Sequence, residues 1–247
     1  MEARERRAKR ALDRQLAFMR GLAMSFRGRE SQKHERLKLR AAQLLEKLAP
    51  FREIQSSDTV LEVGSGASGY IFHLGLPNVV GVDPLADHCR ELFSLWQTGV
   101  KTIAAPGESL PFDDQNFDIV ICDNVIDHAE NPHQIVREIM RVLKPGGLFY
   151  FTVHVHHPIY TTVSTAYGLW HSTGLPPEIT PFADHTVHLT PASARKMFQD
   201  LPLTVKMENY IDAQRFAPRH VGDRLKRLFY KNRTWEVVGI RSPDAAA

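Results

Sequence analysis

The chain has 247 residues, 43% apolar and 24% charged, which suits one catalytic domain with appendages. Cys89 and Cys122 lack the paired spacing of secreted scaffolds or zinc sites, and no apolar run approaches the roughly 20 residues of a membrane span, so a reducing, cytoplasmic setting is expected. The net charge of +3 hides an asymmetry: residues 1–50 carry 14 Lys/Arg against 6 Asp/Glu, and residues 213–233 carry 7 against 1, leaving basic ends around an acidic middle.

The basic start MEARERRAKR runs into LAFMRGLAMSF, which Arg20 interrupts, so it reads as neither a signal peptide nor an anchor. Leu12, Leu16, Met19, Ala23 and Phe26 make one stripe of a helix that Gly28 ends. Ser31 is expected to cap a second helix, whose stripe is Leu37, Ala41, Leu44 and Leu48, with Pro50 closing it. Residues 1–50 are thus a basic helical extension that leans on the core, covers it as a lid or makes an oligomer contact. A membrane-surface or nucleic-acid role for its basic face is the alternative.

From Thr59 short β-branched runs alternate with helical stretches, the pattern of a parallel α/β sheet covered on both faces. Strands are expected at about 59–63, 78–82, 101–105, 117–122 and 147–155, and helices near 68–75, 85–97 and 132–143. An insertion dense in His, Pro, Thr and aromatic residues follows at about 156–190. Pro191 opens a helix to about 200, and last strands at 203–211 and 234–241 flank a basic helical segment at 213–233.

Thr59-Val60-Leu61-Glu62-Val63 leads into Gly64-Ser65-Gly66-Ala67-Ser68-Gly69, a strand, a glycine-rich turn and a helix start. Gly64, Gly66 and Gly69 satisfy G-x-G-x-x-G, and Asp83, about 20 residues on, can take both hydroxyls of a ribose, so a nicotinamide enzyme stays open at this point. Glu62 tilts the choice. A carboxylate beside the turn repels a pyrophosphate and suits a ligand carrying an ammonium and a sulfonium.

The run Gly107-Glu108-Ser109-Leu110-Pro111-Phe112-Asp113-Asp114-Gln115-Asn116-Phe117-Asp118, then Asn124-Val125-Ile126-Asp127-His128, then Arg141-Val142-Leu143-Lys144-Pro145-Gly146-Gly147, adds to that turn. Over about residues 57–155 the sequence resembles the class I S-adenosylmethionine-dependent methyltransferases, in the branch of the ubiquinone, menaquinone and many small-molecule enzymes. The resemblance implies a Rossmann-like, doubly wound α/β sheet, mostly parallel with an antiparallel last strand, over residues 51–247, and S-adenosyl-L-methionine as cofactor.

It also implies roles: Glu62 and the backbone around Gly64, Ser65 and Gly66 for the methionine part, Asp83 for the ribose, Pro84 for the adenine edge, and Gly107-Glu108 along adenine. Asp123 and Asn124 would border the methyl-transfer site. One position departs from the pattern: many relatives have an acidic residue two places before Glu108, where this chain has Pro106, which offers neither a carboxylate nor an N–H to adenine, and Glu108 either substitutes or caps the following turn.

Methyl transfer from a sulfonium needs a positioned acceptor and, for hydroxyl acceptors, a base. His154 is the first candidate and His157 the second. His156 shares a face with His154 by period-two alternation, and His128 orients Asn124, meets the acceptor or packs at a helix start. Tyr160, Tyr167, Trp170 and Phe182 are expected to wall the pocket. Asp184, His185 and His188 could join the strand histidines around a metal, but the family chemistry needs none.

The acceptor is expected to be a small molecule or a glycan- or lipid-linked group, methylated on oxygen. The alternative is an RNA methyltransferase gripping phosphates with its basic segments, although Asp123-Asn124-Val125-Ile126 stands where nucleobase enzymes carry an Asn-Pro-Pro-aromatic run. A scaffold that has kept the cofactor fold is the reading from another class, with Pro106 its one support.

Overall fold

The fold comes from a computed structural model and is described for residues 2–129, 131–158, 189–212 and 233–243, with the backbone alone at 2–12, 14, 128 and 212. Seven strands form one sheet: β1 (Val60–Val63), β2 (Val79–Val82), β3 (Lys101–Ile103), β4 (Phe117–Asp123), β5 (Leu143–Val155), β6 (Leu203–Asp212) and β7 (Arg233–Arg241). Their order is β3-β2-β1-β4-β5-β7-β6. The pairs among β1 to β5 are parallel, and β7 runs antiparallel to both β5 and β6, as the resemblance implies. The order reverses between β1 and β4, which puts a crevice outside their carboxyl ends.

The helices are α1 (Glu2–Phe26), α2 (Glu30–Leu48), α3 (Ala86–Leu92), α4 (Ser94–Gln97), α5 (Pro132–Val142) and α6 (Pro191–Lys196). None of the described helices is long and apolar enough to cross a membrane. Alternation along the strands divides the core in two. Leu61, Val63, Val120, Phe149 and Phe151 meet Ile135, Val136 and Ile139 of α5 on one face. Val60, Ile119, Ile121 and Leu148 meet Leu37, Ala41, Leu44 and Leu48 of α2 on the other.

The α2 stripe is therefore core, all four residues being buried. Leu16, Met19, Ala23 and Phe26 of α1 pack on the same cluster, so the N-terminal helices lean on the domain. Cys89 in α3 and Cys122 in β4 are buried and free.

Several expected elements differ. Ser31 does not cap α2, which starts at Glu30 after Arg29 with no side-chain cap. The helix expected at 68–75 is a single 3-10 turn at Tyr70–Phe72, because the chain turns at Gly75 with φ +69 before a longer helix can build. The helix expected at 85–97 breaks at Phe93, whose buried ring stacks on Trp96 at 5.7 Å. α6 stops at Lys196, and its start is a capping box between Thr190 and Ser193. Most of the expected insertion at 156–190 and nearly all of the basic segment at 213–233 lie outside the described residues, and with them Tyr160, Tyr167, Trp170, Phe182, Asp184, His185 and His188.

Candidate functional site

The glycine turn leaves β1 at the crevice, and its own hydrogen bonds define what it can bind. The N–H groups of Gly64 and Ser65 donate to the Val82 carbonyl at 2.7 and 3.3 Å. Asp83, just past the end of β2, reaches back across the turn: its Oδ2 accepts from the Gly66 N–H at 3.0 Å and its Oδ1 from the Leu85 N–H at 2.8 Å. Burial raises the Asp83 pKa, and those two N–H groups oppose the rise. From α4, Trp96 Nε1 and Gln97 Nε2 donate to the carbonyls of Ala67 and Gly66, each at 2.8 Å.

A pyrophosphate site needs turn N–H groups aimed outward and a helix beginning behind them. Here the three N–H groups serve protein acceptors, and only the 3-10 turn follows. The turn is also closely roofed. A Cβ on Gly64 (φ +75) would fall 2.2 Å from Val125 Cγ2, and one on Gly66 would lie 3.8 Å from Met19 Cε of α1.

Glu62 points away from solvent, at 2% exposure, and its carboxylate accepts from the Ile71 N–H at 3.1 Å. Gly69 makes room for it, since a Cβ there would meet Glu62 Oε2 at 2.5 Å. The third glycine of the motif thus serves Glu62. Burial, against the Ile71 and Tyr70 N–H groups, pushes the Glu62 pKa up from 4.5 to about 8.

A carboxyl whose folded pKa is raised contributes stability below its unfolded pKa that is lost as pH rises through the folded value. Between about pH 5 and pH 9, then, Glu62→Gln is expected to flatten the fall in urea midpoint that the wild type shows. Parallel profiles for the two proteins would show that Glu62 is not the titrating group.

Beside the turn, α2 delivers two cations onto the sheet. Arg40 pairs with Asp123 at the end of β4, donates to the Ser68 carbonyl at 3.3 Å and lies 4.0 Å over the Tyr70 ring. Thr152 Oγ1 donates to the other Asp123 oxygen at 2.5 Å. Two turns along α2, Lys47 pairs with the fully buried Glu236 of β7, which also accepts from Tyr150 Oη at 2.8 Å.

Burial works against the Arg40 charge, but Asp123 and Tyr70 outweigh it and raise its pKa. Burial pushes the Tyr70 hydroxyl up to about 12 and raises Tyr150 further, so both remain proton donors at neutral pH. Sequence reasoning missed this band of Arg40, Lys47, Tyr70, Tyr150 and Glu236. A signal existed, because positions 40 and 47 flank the stripe of Leu37, Ala41, Leu44 and Leu48, where a half-buried cation needs a partner.

Asn124 follows Asp123 with φ +57, and its Oδ1 is buried with no partner among the described residues. That orphaned acceptor sits next to the close approach of Val125 to Gly64. An acidic group and a bare carbonyl oxygen beside a glycine turn suit a ligand with a cationic amino-acid tail, so the residues present fit the expected cofactor.

Pro84 is exposed beside Asp83. Gly107 is buried, and a Cβ there would lie 3.1 Å from Val63 and 3.2 Å from Ile135, so the chain passes close between β1 and α5. Glu108 accepts from the Asn131 N–H at 3.2 Å, at the start of α5. The following loop is held by Arg141, which donates to the carbonyls of Leu110 and Phe112 and pairs with Glu138 and Asp114.

His154 lies two residues beyond Thr152 in β5, half-buried, with Nδ1 3.3 Å from Thr234 Oγ1 of the facing strand. β5 ends at Val155, so His156 leaves the strand alternation on which its shared face with His154 rested. His156 is fully buried, and its backbone N–H donates to the Leu189 carbonyl at 2.7 Å. His157 is half-buried at the strand exit, and the backbone of His128 closes a 3-10 turn at Ile126–His128, its side chain lying outside the described residues. Among the described residues no group of three or more His, Cys, Asp or Glu could hold a metal ion.

Comparison with known proteins adds three findings. Residues 61–151 match the family described as "Methyltransferase domain". Among curated proteins, the chain is 49% identical over 88 residues to the uncharacterized protein MJ1123 of Methanocaldococcus jannaschii, 35% of this chain and 40% of that one. It is 29% identical over 143 residues to thiol S-methyltransferase TMT1B of Rattus norvegicus, 55% of each chain.

The matched stretches thus span less than two thirds of these relatives' own lengths. Among solved structures, the YcgJ protein of Bacillus subtilis superposes with a TM-score of 0.59 over 81% of this chain and 98% of that one, at 20% identity.

Proposed function

Because residues 61–151 form a methyltransferase domain of the class I S-adenosylmethionine-dependent family, we propose that the protein methylates a small-molecule, glycan-linked or lipid-linked acceptor on oxygen. The observation that carries the reading is the turn Gly64–Gly69, closed inward by Val82 and Asp83, with the linked polar groups of Arg40, Asp123 and Thr152 beside it. Bound S-adenosyl-L-methionine supplies the methyl group and carries its own leaving group. The chain's work is therefore to bind, orient and remove a proton.

Each Asp83 oxygen has a lone pair beyond the one its N–H partner uses, so Asp83 would hold the ribose hydroxyls. Asn124 Oδ1, buried with no partner among the described residues, would accept from the ammonium of the cofactor's amino-acid end. His154, oriented by Thr234, takes the proton of the acceptor hydroxyl. The RNA alternative is disfavoured because Asp123-Asn124-Val125-Ile126 stands where nucleobase enzymes carry an Asn-Pro-Pro-aromatic run.

The acceptor is tested by mixing the protein and cofactor with hydroxyl, phenol, thiol and RNA acceptors and following release of S-adenosylhomocysteine. Turnover with hydroxyls or phenols is expected. Turnover confined to thiols, the acceptors of the relative named thiol S-methyltransferase, would overturn the oxygen assignment. On the accepted substrate, His154→Ala is expected to lower kcat by about a hundredfold or more with unchanged affinity for S-adenosylhomocysteine. An unaltered kcat would remove His154 as the base.

A further inference from the structure

We infer that Arg40 of the N-terminal extension binds the carboxylate of the cofactor's amino-acid end, so that α2 supplies part of the cofactor site. This rests on the methyltransferase reading. An amino-acid tail carries one anion as well as one cation, and the residues beside the turn on the sheet side, Asp83 and Asp123, are acidic. They suit the ammonium and the ribose hydroxyls and repel the carboxylate. Among the described residues, the cation that reaches the turn is Arg40.

Its Nη1 donates to the carbonyl of Ser68, inside the turn, and its Nη2 pairs with Asp123, the residue before Asn124. A guanidinium has five N–H donors in a planar fork. The contacts to Ser68, Asp123 and the Tyr70 ring leave donors over, and the side chain is still 39% open. Asp123, Tyr70 and α2 fix the fork in place, so binding a carboxylate costs little further ordering.

A structural ion pair would need only Asp123. Here the cation also lies against the turn's own backbone, beside Asn124, whose Oδ1 is buried without a partner among the described residues. The two ends of a zwitterion thus find opposite partners side by side: Arg40 for the carboxylate and Asn124 for the ammonium.

The test separates this role from general support of the site. S-adenosylhomocysteine and its analogue lacking only the carboxylate, S-adenosyl-3-thiopropylamine, are titrated calorimetrically into wild type, Arg40→Ala and Arg40→Lys. Charge-assisted, bidentate contact predicts that Arg40→Ala weakens S-adenosylhomocysteine about ten- to hundredfold and leaves the analogue within about twofold, with Arg40→Lys between. Equal loss for both ligands would show that Arg40 acts through the docking of α2, and equal affinity for S-adenosylhomocysteine in all three proteins would show no role. Either result overturns the assignment while leaving the cofactor reading intact. Wild-type protein that binds neither ligand overturns both.

Discussion

Asp83→Ala is expected to reduce affinity for S-adenosylhomocysteine by about a hundredfold or more, since each hydrogen bond from a ribose hydroxyl to a carboxylate is worth about 1.5–3 kcal/mol. The structure adds a cost that the motif alone does not suggest. Asp83 also holds the Gly66 and Leu85 N–H groups, and leaving them without an acceptor costs about 1–3 kcal/mol of stability. Asp83→Asn, which keeps an acceptor oxygen, is expected to recover part of the stability and little of the affinity. Calorimetry and urea denaturation on the three proteins check both, and undiminished affinity in Asp83→Ala would sink the ribose assignment.

Gly64→Ala is the second large effect. An alanine at φ +75 costs about 1–2 kcal/mol in backbone strain. Its Cβ would also lie 2.2 and 2.8 Å from the two Val125 methyl carbons, so Val125 must move, adding about 1–3 kcal/mol of overpacking. The turn and Asn124 are displaced together, and S-adenosylhomocysteine binding is expected to be lost. Val125→Ala on the Gly64→Ala background removes the obstructing methyls and is expected to recover the packing share, leaving the strain. A Gly64→Ala protein as stable as wild type would contradict the roofed turn.

Much of this site is legible from the chain because its carriers are local. Glu62, the glycines and Asp83 lie at strand ends whose β-branched runs are plain. The α2 stripe of Leu37, Ala41, Leu44 and Leu48 predicts the buried face position for position. What spacing does not show is how backbone donors are used. G-x-G-x-x-G is compatible with a dinucleotide, and beyond Glu62 it is the inward bonds to Val82 and Asp83, with the lone 3-10 turn behind them, that argue against one.

The polar band is harder still to read, because Arg40, Asp123, Tyr150 and Glu236 come from four elements and meet only when the sheet closes. His156 is the converse case. Alternation holds while a strand lasts, and β5 ends one residue before it.

The most direct test of the central claim is calorimetric titration of the wild-type protein with S-adenosylhomocysteine and, separately, with NADH. Binding of S-adenosylhomocysteine and no heat from NADH is the result expected of a turn whose N–H groups face inward beside a buried carboxylate. Binding of NADH with S-adenosylhomocysteine silent would contradict it.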